Sequence, residues 1–461
     1  MVDTIVVTGG GPGSHQAVPV TTICQSDYPE WIKGQPDTVR RWLESTGFVA
    51  NPGSCAMIQG EDGGLERVLF GTNDEPSVWD WAALPVALPS GLYRLDGTAG
   101  DQAQIAALAW GLATYQFDQY REPQRVPPRL LCTDKDTLPG TRQTIDATYL
   151  VRDLINTPAN DMGPDSLAGA AQKLAIDHNA DCSVIVGDDL LSNNYPAIHA
   201  VGRAHDRAPR LIDMRWGNDT APKVTLVGKG VCFDTGGLDL KPASGMDLMK
   251  KDMGGAAHVL GIASMIMAAK LPIRLRVLIP AVENSVSANA MRPGDVLATR
   301  KGLTIEVGNT DAEGRVILAD ALAEASSENP DLVIDFATLT GAARIALGTD
   351  LPALFSNDDG LASDILECGL METDPLWRMP LWAGYAGQIR GKIADVTNAP
   401  SGRFGGAITA ALFLERFVDP EISWAHIDVM AWNLTARAGR PEGGEAVGMR
   451  AVFKMLDRRY G

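Results

Sequence analysis

The chain has 461 residues, of which 45% are hydrophobic and 21% are charged, and its formal net charge is −17. This length and composition are typical of a soluble globular protein with two or three domains. The negative charge disfavours nonspecific attraction to nucleic acid or to anionic lipid, so nucleic acid is not expected as a partner.

The chain shows no signal for export or for membrane insertion. Its first residues, MVDTIVVTGGGPG, lack a basic start and a long apolar region, so no signal peptide is predicted. The most apolar helical run, residues 259–269, is far shorter than the roughly 20 residues that span a bilayer, so no membrane partner is expected. The six cysteines are scattered without close pairs, which is typical of free thiols in a reducing compartment. We therefore expect a cytoplasmic protein.

The N-terminal part shows only short and irregular patterns. Strands are predicted at residues 4–8 and 67–70, and a helix at residues 103–116. Further on, apolar residues recur at helical spacing from residue 141 to residue 156, and a proline follows. This segment predicts a helix that connects two parts of the chain.

From residue 223 onward, apolar strands alternate with helices. The strands are KVTLVG, RLRVLIPAV, LTIEV, DLVIDFA and ISWAHIDV; the helices include GGAAHVLGIASMIMAAK, VILADALAEASS and GAITAALFLERFV. Apolar runs without alternation are typical of strands buried on both faces. The pattern predicts an α/β domain with a central mixed, mostly parallel sheet flanked by helices.

Two polar, glycine-rich segments follow predicted strands of this domain. Ligands of such folds bind beyond the carboxyl ends of the strands, so both segments are candidates for a site. Asp311, Glu313 and Arg315 alternate along the second segment, and in extended backbone they would point the same way. Among the charged residues of the two segments, the candidate acids are Asp234, Asp252, Asp311 and Glu313, and the cations that could neutralise them are Lys229, Lys241 and Arg315.

Two interpretations of these charges remain open from the residues alone. One is an ion-pair network, which is the commoner role for any single residue of this kind. The other is a site in which carboxylates bind divalent cations and bridge two of them. Other chemistries have less support, because the chain lacks the His-Glu-x-x-His zinc motif and the Gly-x-Ser-x-Gly nucleophile motif. His258 and His426 lie in apolar segments and are expected to be satisfied core residues, and Cys232 is expected to be a small packed residue.

Several segments, in order, resemble the leucyl aminopeptidase (cytosol aminopeptidase) family. NTDAEGR at residues 309–315 resembles the signature heptapeptide of that family. GKGVCFDTGGLDLKP at residues 228–242 and KKDMGGAA at residues 250–257 resemble two further blocks, and the resemblance extends from about residue 150 to 455. It implies an N-terminal α/β domain over residues 1–140, a connecting helix over 141–160 and a metallo-aminopeptidase catalytic domain over 161–461.

The resemblance also implies a site with two divalent metal ions, Zn or Mn being favoured and Co or Mg being possible. Asp234 and Glu313 would bind both ions. Lys229 and Asp252 would complete the more exchangeable site, and Asp311 the tighter one. Lys241 would act on the substrate carbonyl and Arg315 would hold a bicarbonate that serves as base. The residues implied to bind substrate are Met249, Asn309, Thr338, Leu339 and Gly341.

The implied activity is removal of the N-terminal residue, preferably Leu or another apolar residue, from peptides with a free N-terminus. The implied assembly is a homohexamer. Thr235, residues 430–432 and residues 446–449 depart from the family pattern, so the substrate preference stays open. Two alternatives are a two-metal phosphohydrolase and a family member with a DNA-binding, architectural role, which the net charge disfavours.

Overall fold

The computed structural model describes residues 6–8, 16–123, 125–132, 138–400 and 402–461. The chain divides into two compact units. The first comprises Met1–Tyr149 and Leu434–Glu442, and the second comprises Leu150–Asn433 and Gly443–Gly461.

The first unit is an α/β unit with one six-stranded sheet. Its strands are β1 (Val6–Thr8), β2 (Val18–Cys24), β3 (Cys55–Gln59), β4 (Leu65–Thr72), β5 (Leu92–Asp96) and β6 (Arg129–Cys132). Its helices are α1 (Tyr28–Trp31), α2 (Asp37–Ser45), α3 (Val78–Trp81), α4 (Ala83–Ala87), α5 (Gly100–Thr114) and the first part of α6 (Leu138–Asn156), with a 3-10 turn at Ile32–Gly34. The strand order is β1-β6-β5-β2-β4-β3, and all pairs are parallel except β3 with β4.

The predicted elements of this unit agree with the structure within a few residues. The strand predicted at residues 67–70 lies inside β4, and the helix predicted at 103–116 corresponds to α5. Of the strand predicted at 4–8, residues 6–8 form β1, and residues 4 and 5 lie outside the described residues. The predicted connecting helix corresponds to α6, which begins three residues earlier than the sequence indicated.

The second unit contains the remaining elements. Its strands are β7 (Asp181–Val186), β8 (Arg210–Trp216), β9 (Lys223–Gly228), β10 (Gly230–Asp234), β11 (Arg274–Asn284), β12 (Val296–Ala298), β13 (Thr304–Glu306), β14 (Leu332–Ala337), β15 (Ala353–Ser356), β16 (Trp377–Arg378), β17 (Val396–Thr397), β18 (Trp424–Asp428), β19 (Trp432–Asn433) and β20 (Gly443–Gly444). Its helices are the end of α6, α7 (Pro164–His178), α8 (Asp189–Ser192), α9 (Pro196–Gly202), α10 (Ala243–Met246), α11 (Gly254–Ala269), α12 (Glu313–Ser326), α13 (Gly341–Leu347), α14 (Asp359–Met371), α15 (Gly406–Glu415) and α16 (Met449–Tyr460). Two 3-10 helices lie at Met249–Met253 and Ala383–Ile389.

A mixed nine-stranded sheet forms the centre of this unit. Its order is β16-β15-β18-β14-β9-β11-β8-β7, and β10 pairs with β11 beside this path. The pairs β18-β14, β14-β9, β9-β11 and β10-β11 are parallel, whereas β15-β18, β11-β8 and β8-β7 are antiparallel. The predicted mixed, mostly parallel sheet is therefore confirmed.

Helices cover both faces of this sheet. Phe336 of β14 stacks on His258 of α11, while Val333 of the same strand packs in the core with Val316 of α12. Because side chains three apart on a strand point to opposite faces, α11 and α12 lie on opposite sides of the sheet. Strands covered on both faces must be apolar throughout, which explains the unbroken apolar runs.

Two expectations from the sequence were wrong. The segment LTIEV supplies β13, which belongs to a small sheet of order β12-β13-β17 and not to the central sheet. The helical stretch that contains the apolar run 259–269 extends over Ala243–Ala269, which is 27 residues and long and apolar enough to cross a bilayer by composition. However, 83% of its apolar window is buried inside the protein, as in the core helix of a globular domain.

Candidate functional site

The predicted acids and cations meet at the carboxyl ends of the central strands. Lys229 follows β9 directly, and Asp234 is the last residue of β10. Asp252 lies in the 3-10 helix Met249–Met253 and Glu313 is the first residue of α12. Strand ends and helix starts on either side of the sheet thus bring together residues from two distant segments.

Three carboxylates form the centre of the site. Asp234, Asp252 and Glu313 each offer an oxygen within 4.8 Å of the other two. All three side chains are buried, Glu313 to 1% exposure. Neither side-chain oxygen of Glu313 has a hydrogen-bond partner among the described residues, although Oε1 lies close to Lys229 Nζ. Without cations, such a cluster would destabilise the folded protein, because buried carboxylates repel one another and lose their hydration.

Lys229 provides one of these cations. Its Nζ lies 2.8 Å from Asp252 Oδ2 and 3.1 Å from Glu313 Oε1, and it donates to the Thr338 carbonyl at 3.1 Å. Burial by itself lowers the pKa of Lys229, but the neighbouring carboxylates raise that pKa above its usual value on balance. The approach is so close that a Cβ on Gly314 would lie 2.3 Å from Lys229 Cε. A side chain at position 314 would therefore displace this lysine from its present position.

Lys241 provides the second cation. Its Nζ lies 2.8 Å from Asp234 Oδ2 and also pairs with Asp311 Oδ1. Asp311 is 31% exposed at the side chain, so it lies at the open edge of the cluster. Burial, followed by the charge of Asp234, raises the pKa of Asp311 to about 6. Burial also raises the pKa of Glu313 well above the usual range.

Neighbouring polar groups fix the orientation of two of the carboxylates. Asp234 Oδ1 accepts from the Asn284 side chain and from the Gly236 amide, both at 2.8 Å. Asp252 Oδ1 accepts from Thr338 Oγ1 at 2.6 Å. The second oxygens of Asp234 and Asp252 are left to face the cations.

Asn398 holds the second polar segment in place. Its Oδ1 accepts from the Gly308 and Asn309 amides at 2.8 and 3.2 Å, and its Nδ2 donates to the Asn309 carbonyl at 2.7 Å. Its own carbonyl accepts from Arg315 at 2.8 Å. Asn309 in turn accepts from the Asp311 amide at 2.8 Å. One buried asparagine therefore positions both the turn with Asp311 and the guanidinium of Arg315.

The sequence argument for this segment needs correction. Asp311, Glu313 and Arg315 were expected to point the same way in extended backbone, but Glu313 and Arg315 lie in the first turn of α12. Residues two apart on a helix do not share a face. Glu313 joins the carboxylate cluster, whereas Arg315 reaches Asn398 and lines the cavity. Burial lowers the pKa of Arg315 to about 10.

A cavity of about 470 Å³ opens beside the cluster. Its walls include all five residues that the resemblance assigned to substrate binding, which are Met249, Asn309, Thr338, Leu339 and Gly341. Lys229, Asp234, Lys241, Asp252, Asp311 and Arg315 also line it, while Glu313 lies buried behind them. The structure therefore brings the candidate ligands and the candidate substrate residues to one cavity.

Four further lining residues were missed from the sequence: Lys251, Arg344, Asn398 and Asp428. Asp428 ends β18 and accepts from the Leu339 amide at 3.0 Å and from Thr340 Oγ1 at 2.6 Å. Its place at a strand's carboxyl end was a usable signal.

Lys251 is buried beside Asp252, and burial lowers its pKa to about 8. No pattern in the sequence separates Lys251 from the neighbouring Lys250.

The structure shows the surroundings of the three residues that were expected to have structural roles. His258 is a satisfied core residue, because Nδ1 bonds the Gly254 carbonyl at 2.6 Å and Nε2 accepts from the Val447 amide at 3.0 Å. His426 pairs through Nδ1 with Asp335 at 2.6 Å, but its buried Nε2 has no partner among the described residues, so it is only half satisfied. Cys232 is fully buried and burial raises its pKa, as expected for a packed thiol.

The donor set fits divalent cations. Carboxylate oxygens are the ligands that hard divalent ions prefer, and an amine is a ligand for the softer members such as Zn²⁺. The orphaned Oε2 of Glu313 is a buried acceptor that an ion would satisfy. The residues present therefore fit a metal centre better than a plain ion-pair network, which would leave this oxygen without a partner.

Comparison with known proteins gives the same family for both parts of the chain. The cytosol aminopeptidase family, catalytic domain, matches residues 149–453, and the M17 aminopeptidase, N-terminal domain, matches residues 18–132. A probable cytosol aminopeptidase of Syntrophotalea carbinolica is 44% identical over 365 residues, covering 75% of this chain and 73% of the relative.

Two solved structures are similar over nearly the whole chain. The crystal structure of a cytosol aminopeptidase from Coxiella burnetii has a TM-score of 0.95 and 48% identity, covering 99% of each chain. The bottromycin maturation enzyme BotP in complex with Mn has a TM-score of 0.86 and 34% identity, covering 96% of this chain and 99% of that one.

Proposed function

The chain belongs to the M17 cytosol aminopeptidase family and is an aminopeptidase, and on that premise we propose that it removes N-terminal Leu and other apolar residues from peptides with a free amino terminus. The family is metal-dependent, and the buried acidic cluster could bind metal. The observation that carries the proposal is the convergence of Asp234, Asp252 and Glu313 within 4.8 Å, where Asp234 and Asp252 line a cavity and Glu313 is buried behind them.

We propose that this cluster binds two divalent ions. Asp234 and Glu313 would each bind both ions, because a shared carboxylate screens two cations from each other. Lys229 and Asp252 would complete the more exchangeable site, and Asp311 would complete the tighter one through its side chain and carbonyl. Zn or Mn suits this donor set best, and Co or Mg would also be accepted.

When bound, the ions supply Lewis acidity to a water nucleophile and to the substrate. The chain's own contribution to the reaction begins with Lys241, whose Nζ can donate to the scissile carbonyl oxygen as charge develops there. A single donor of this kind typically contributes about 3–4 kcal/mol to stabilising the transition state. Arg315 lines the cavity with a guanidinium whose Nε has no partner among the described residues, so it can hold bicarbonate as the proposed base.

Met249, Asn309, Thr338, Leu339 and Gly341 would bind the substrate. Met249 and Leu339 offer apolar surface for the first side chain, which supports a preference for Leu. Met430 lines the same wall, so the departure from the family pattern at residues 430–432 lies at the pocket and can alter this preference.

The remaining family expectations stay proposals. We propose a homohexamer in the cytoplasm, with an N-terminal domain over residues 1–140, a connecting helix over 141–160 and a catalytic domain over 161–461. Light scattering on the purified protein tests the assembly. A DNA-binding role stays an alternative that a gel-shift assay at physiological salt tests.

The decisive experiment compares Leu-Gly with N-acetyl-Leu-Gly after chelation and after return of Zn²⁺ or Mn²⁺. We expect cleavage of the free dipeptide only, loss of cleavage on chelation and recovery with metal. Cleavage of the acetylated peptide would contradict the exopeptidase reading. Cleavage of a phosphate ester without peptide hydrolysis would favour the two-metal phosphohydrolase.

The residue assignment has its own test in Asp311→Asn. This variant should bind metal more weakly and lose metal-dependent activity while its circular dichroism stays that of the wild type. Asp364→Asn, which changes an exposed carboxylate on α14, is the matched control and should remain active. Full activity in Asp311→Asn would show that the metal assignment is wrong.

A further inference from the structure

The cations that line the site cavity differ in how their charge is balanced. Lys229 and Lys241 each pair with two carboxylates of the cluster, and Arg315 donates to the Asn398 carbonyl. Lys251 and Arg344 also line the cavity, yet neither has a carboxylate within 4.0 Å in the part of the chain that the structure describes. Two cations in the cavity thus lack a counter-charge.

Lys251 is the stronger evidence for a bound anion, because this residue is buried, with 5% exposure. Asp252, the next residue in the chain, and Asp428 are acids that line the same cavity. Asp252 faces Lys229 and Thr338, and Asp428 accepts from the 339–340 backbone and from Thr340 Oγ1. A largely buried lysine that lines a substrate cavity and has no carboxylate partner among the described residues favours an anion there, because an ion pair would offset the hydration that the charge has lost.

Arg344 extends the same positive region towards solvent. It lies on the short helix α13, is exposed, and its guanidinium contacts Met430 Sδ at 3.4 Å. An exposed guanidinium without an ion-pair partner among the described residues keeps its parallel N–H donors available for a carboxylate. On a chain with a net charge of −17, anions are repelled in general, so binding one requires a local positive site of this kind.

We propose that Lys251 and Arg344 form a carboxylate subsite that favours peptide substrates with a negative group near the scissile bond. The inference rests on the proposed aminopeptidase function and adds a substrate class to it. None of the five residues assigned to substrate binding is charged, so they offer no counter-charge to a substrate carboxylate. The carboxylate can come from two sources, which are an acidic first side chain and the free C-terminus of a dipeptide.

Two matched pairs of peptides separate these sources in the metal-loaded, full-length enzyme. Glu-Ala-Ala-amide against Gln-Ala-Ala-amide tests the side chain, and Leu-Gly against Leu-Gly-amide tests the C-terminus. The measured quantity is the ratio of kcat/KM within each pair. We expect the carboxylate member of at least one pair to be favoured by about tenfold or more, as for a charge-assisted hydrogen bond.

Lys251→Met should bring that ratio close to one, and Lys251→Arg should keep most of it. Lys250→Met is the matched control, because Lys250 donates to the Asn156 carbonyl at 2.6 Å, lies over the Trp432 ring and does not line the cavity. Its ratio should stay that of the wild type. If Lys251→Met fails to fold, Arg344→Gln at the exposed position should still lower the ratio.

The outcomes separate this inference from the function on which it rests. A raised ratio in the first pair assigns the subsite to the side chain, and in the second pair to the C-terminus. Ratios near one in the wild type, with all four peptides cleaved, would overturn the subsite and leave the aminopeptidase intact. Equal loss for every peptide in Lys251→Met would show a structural lysine. No cleavage of any peptide with Zn²⁺ or Mn²⁺ would overturn the proposed function itself, together with the subsite.

Discussion

The close contact between Gly314 and Lys229 makes a sharp prediction about the site. A Cβ at position 314 would lie 2.3 Å from Lys229 Cε and 2.6 Å from its Nζ, whereas ordinary contacts are 3.4–4 Å. Alanine fits the helical backbone of α12, so Gly314→Ala changes little except this contact. The lysine must move by about 1 Å, away from Asp252 and Glu313, and displacements of that size in an active site typically cost about 100-fold in rate.

Gly314→Ala should therefore lower catalytic activity strongly while it changes the free energy of unfolding only moderately. Alanine in place of glycine stabilises a helix by about 0.5–1 kcal/mol, and overpacking costs about 1–3 kcal/mol, so the net loss of unfolding free energy should stay below about 3 kcal/mol. We expect a folded protein whose kcat/KM on Leu-Gly falls about 100-fold, equivalent to about 2.7 kcal/mol in the activation barrier.

Two assays check this prediction. Steady-state kinetics on Leu-Gly with saturating Zn²⁺ or Mn²⁺ gives kcat/KM, and calorimetric titration gives the affinity of the exchangeable metal, which should be weaker. Gly169→Ala, in the open middle of α7, is the matched control and should gain stability without losing activity. Wild-type kcat/KM and metal affinity in Gly314→Ala would refute the reasoning that Lys229 must sit where it does.

Three other substitutions follow from the described contacts. Asn398→Ala should lower kcat/KM and cost about 1–3 kcal/mol for each buried group left unpaired around residues 308–312; urea unfolding with wild-type stability would contradict this. Arg152→Met removes the buried ion pair with Glu445, whose atoms lie 3.0 Å apart, and should lower the free energy of unfolding in urea by about 3–5 kcal/mol. A loss below about 1 kcal/mol would contradict this prediction. Burial lowers the pKa of His258, so the unfolded chain takes up a proton at this residue more readily than the folded chain does. The free energy of unfolding should therefore fall as the pH drops below about 6.5. An equal fall in His258→Gln would exclude this histidine as the cause.

The sequence by itself determined the class of the second unit and the segments that build the site. Apolar runs without alternation can be stable only as strands covered on both faces, so the mixed, mostly parallel sheet followed from hydrophobic pattern alone. The rule that ligands bind beyond the carboxyl ends of strands pointed to the segments with Asp234 and Glu313, although LTIEV, the strand before Glu313, lies outside the central sheet. These are local signals, carried by neighbours along the chain.

The tertiary structure decided which strand lies where and which partner each charge meets. LTIEV has the pattern of a central strand, yet it pairs in a small separate sheet, because pairing depends on distant segments that periodicity does not report. Asp311 and Arg315 were expected on one face, but the start of α12 turns them apart.

Lys250 and Lys251 show the same limit most clearly. They are identical in type and adjacent in the chain, so no local pattern distinguishes them. In the folded protein, Lys250 donates to a main-chain carbonyl, while Lys251 is buried at the wall of the site cavity without a carboxylate partner among the described residues. Charge compensation depends on what the fold brings within a few ångströms, and that is settled only when the elements pack.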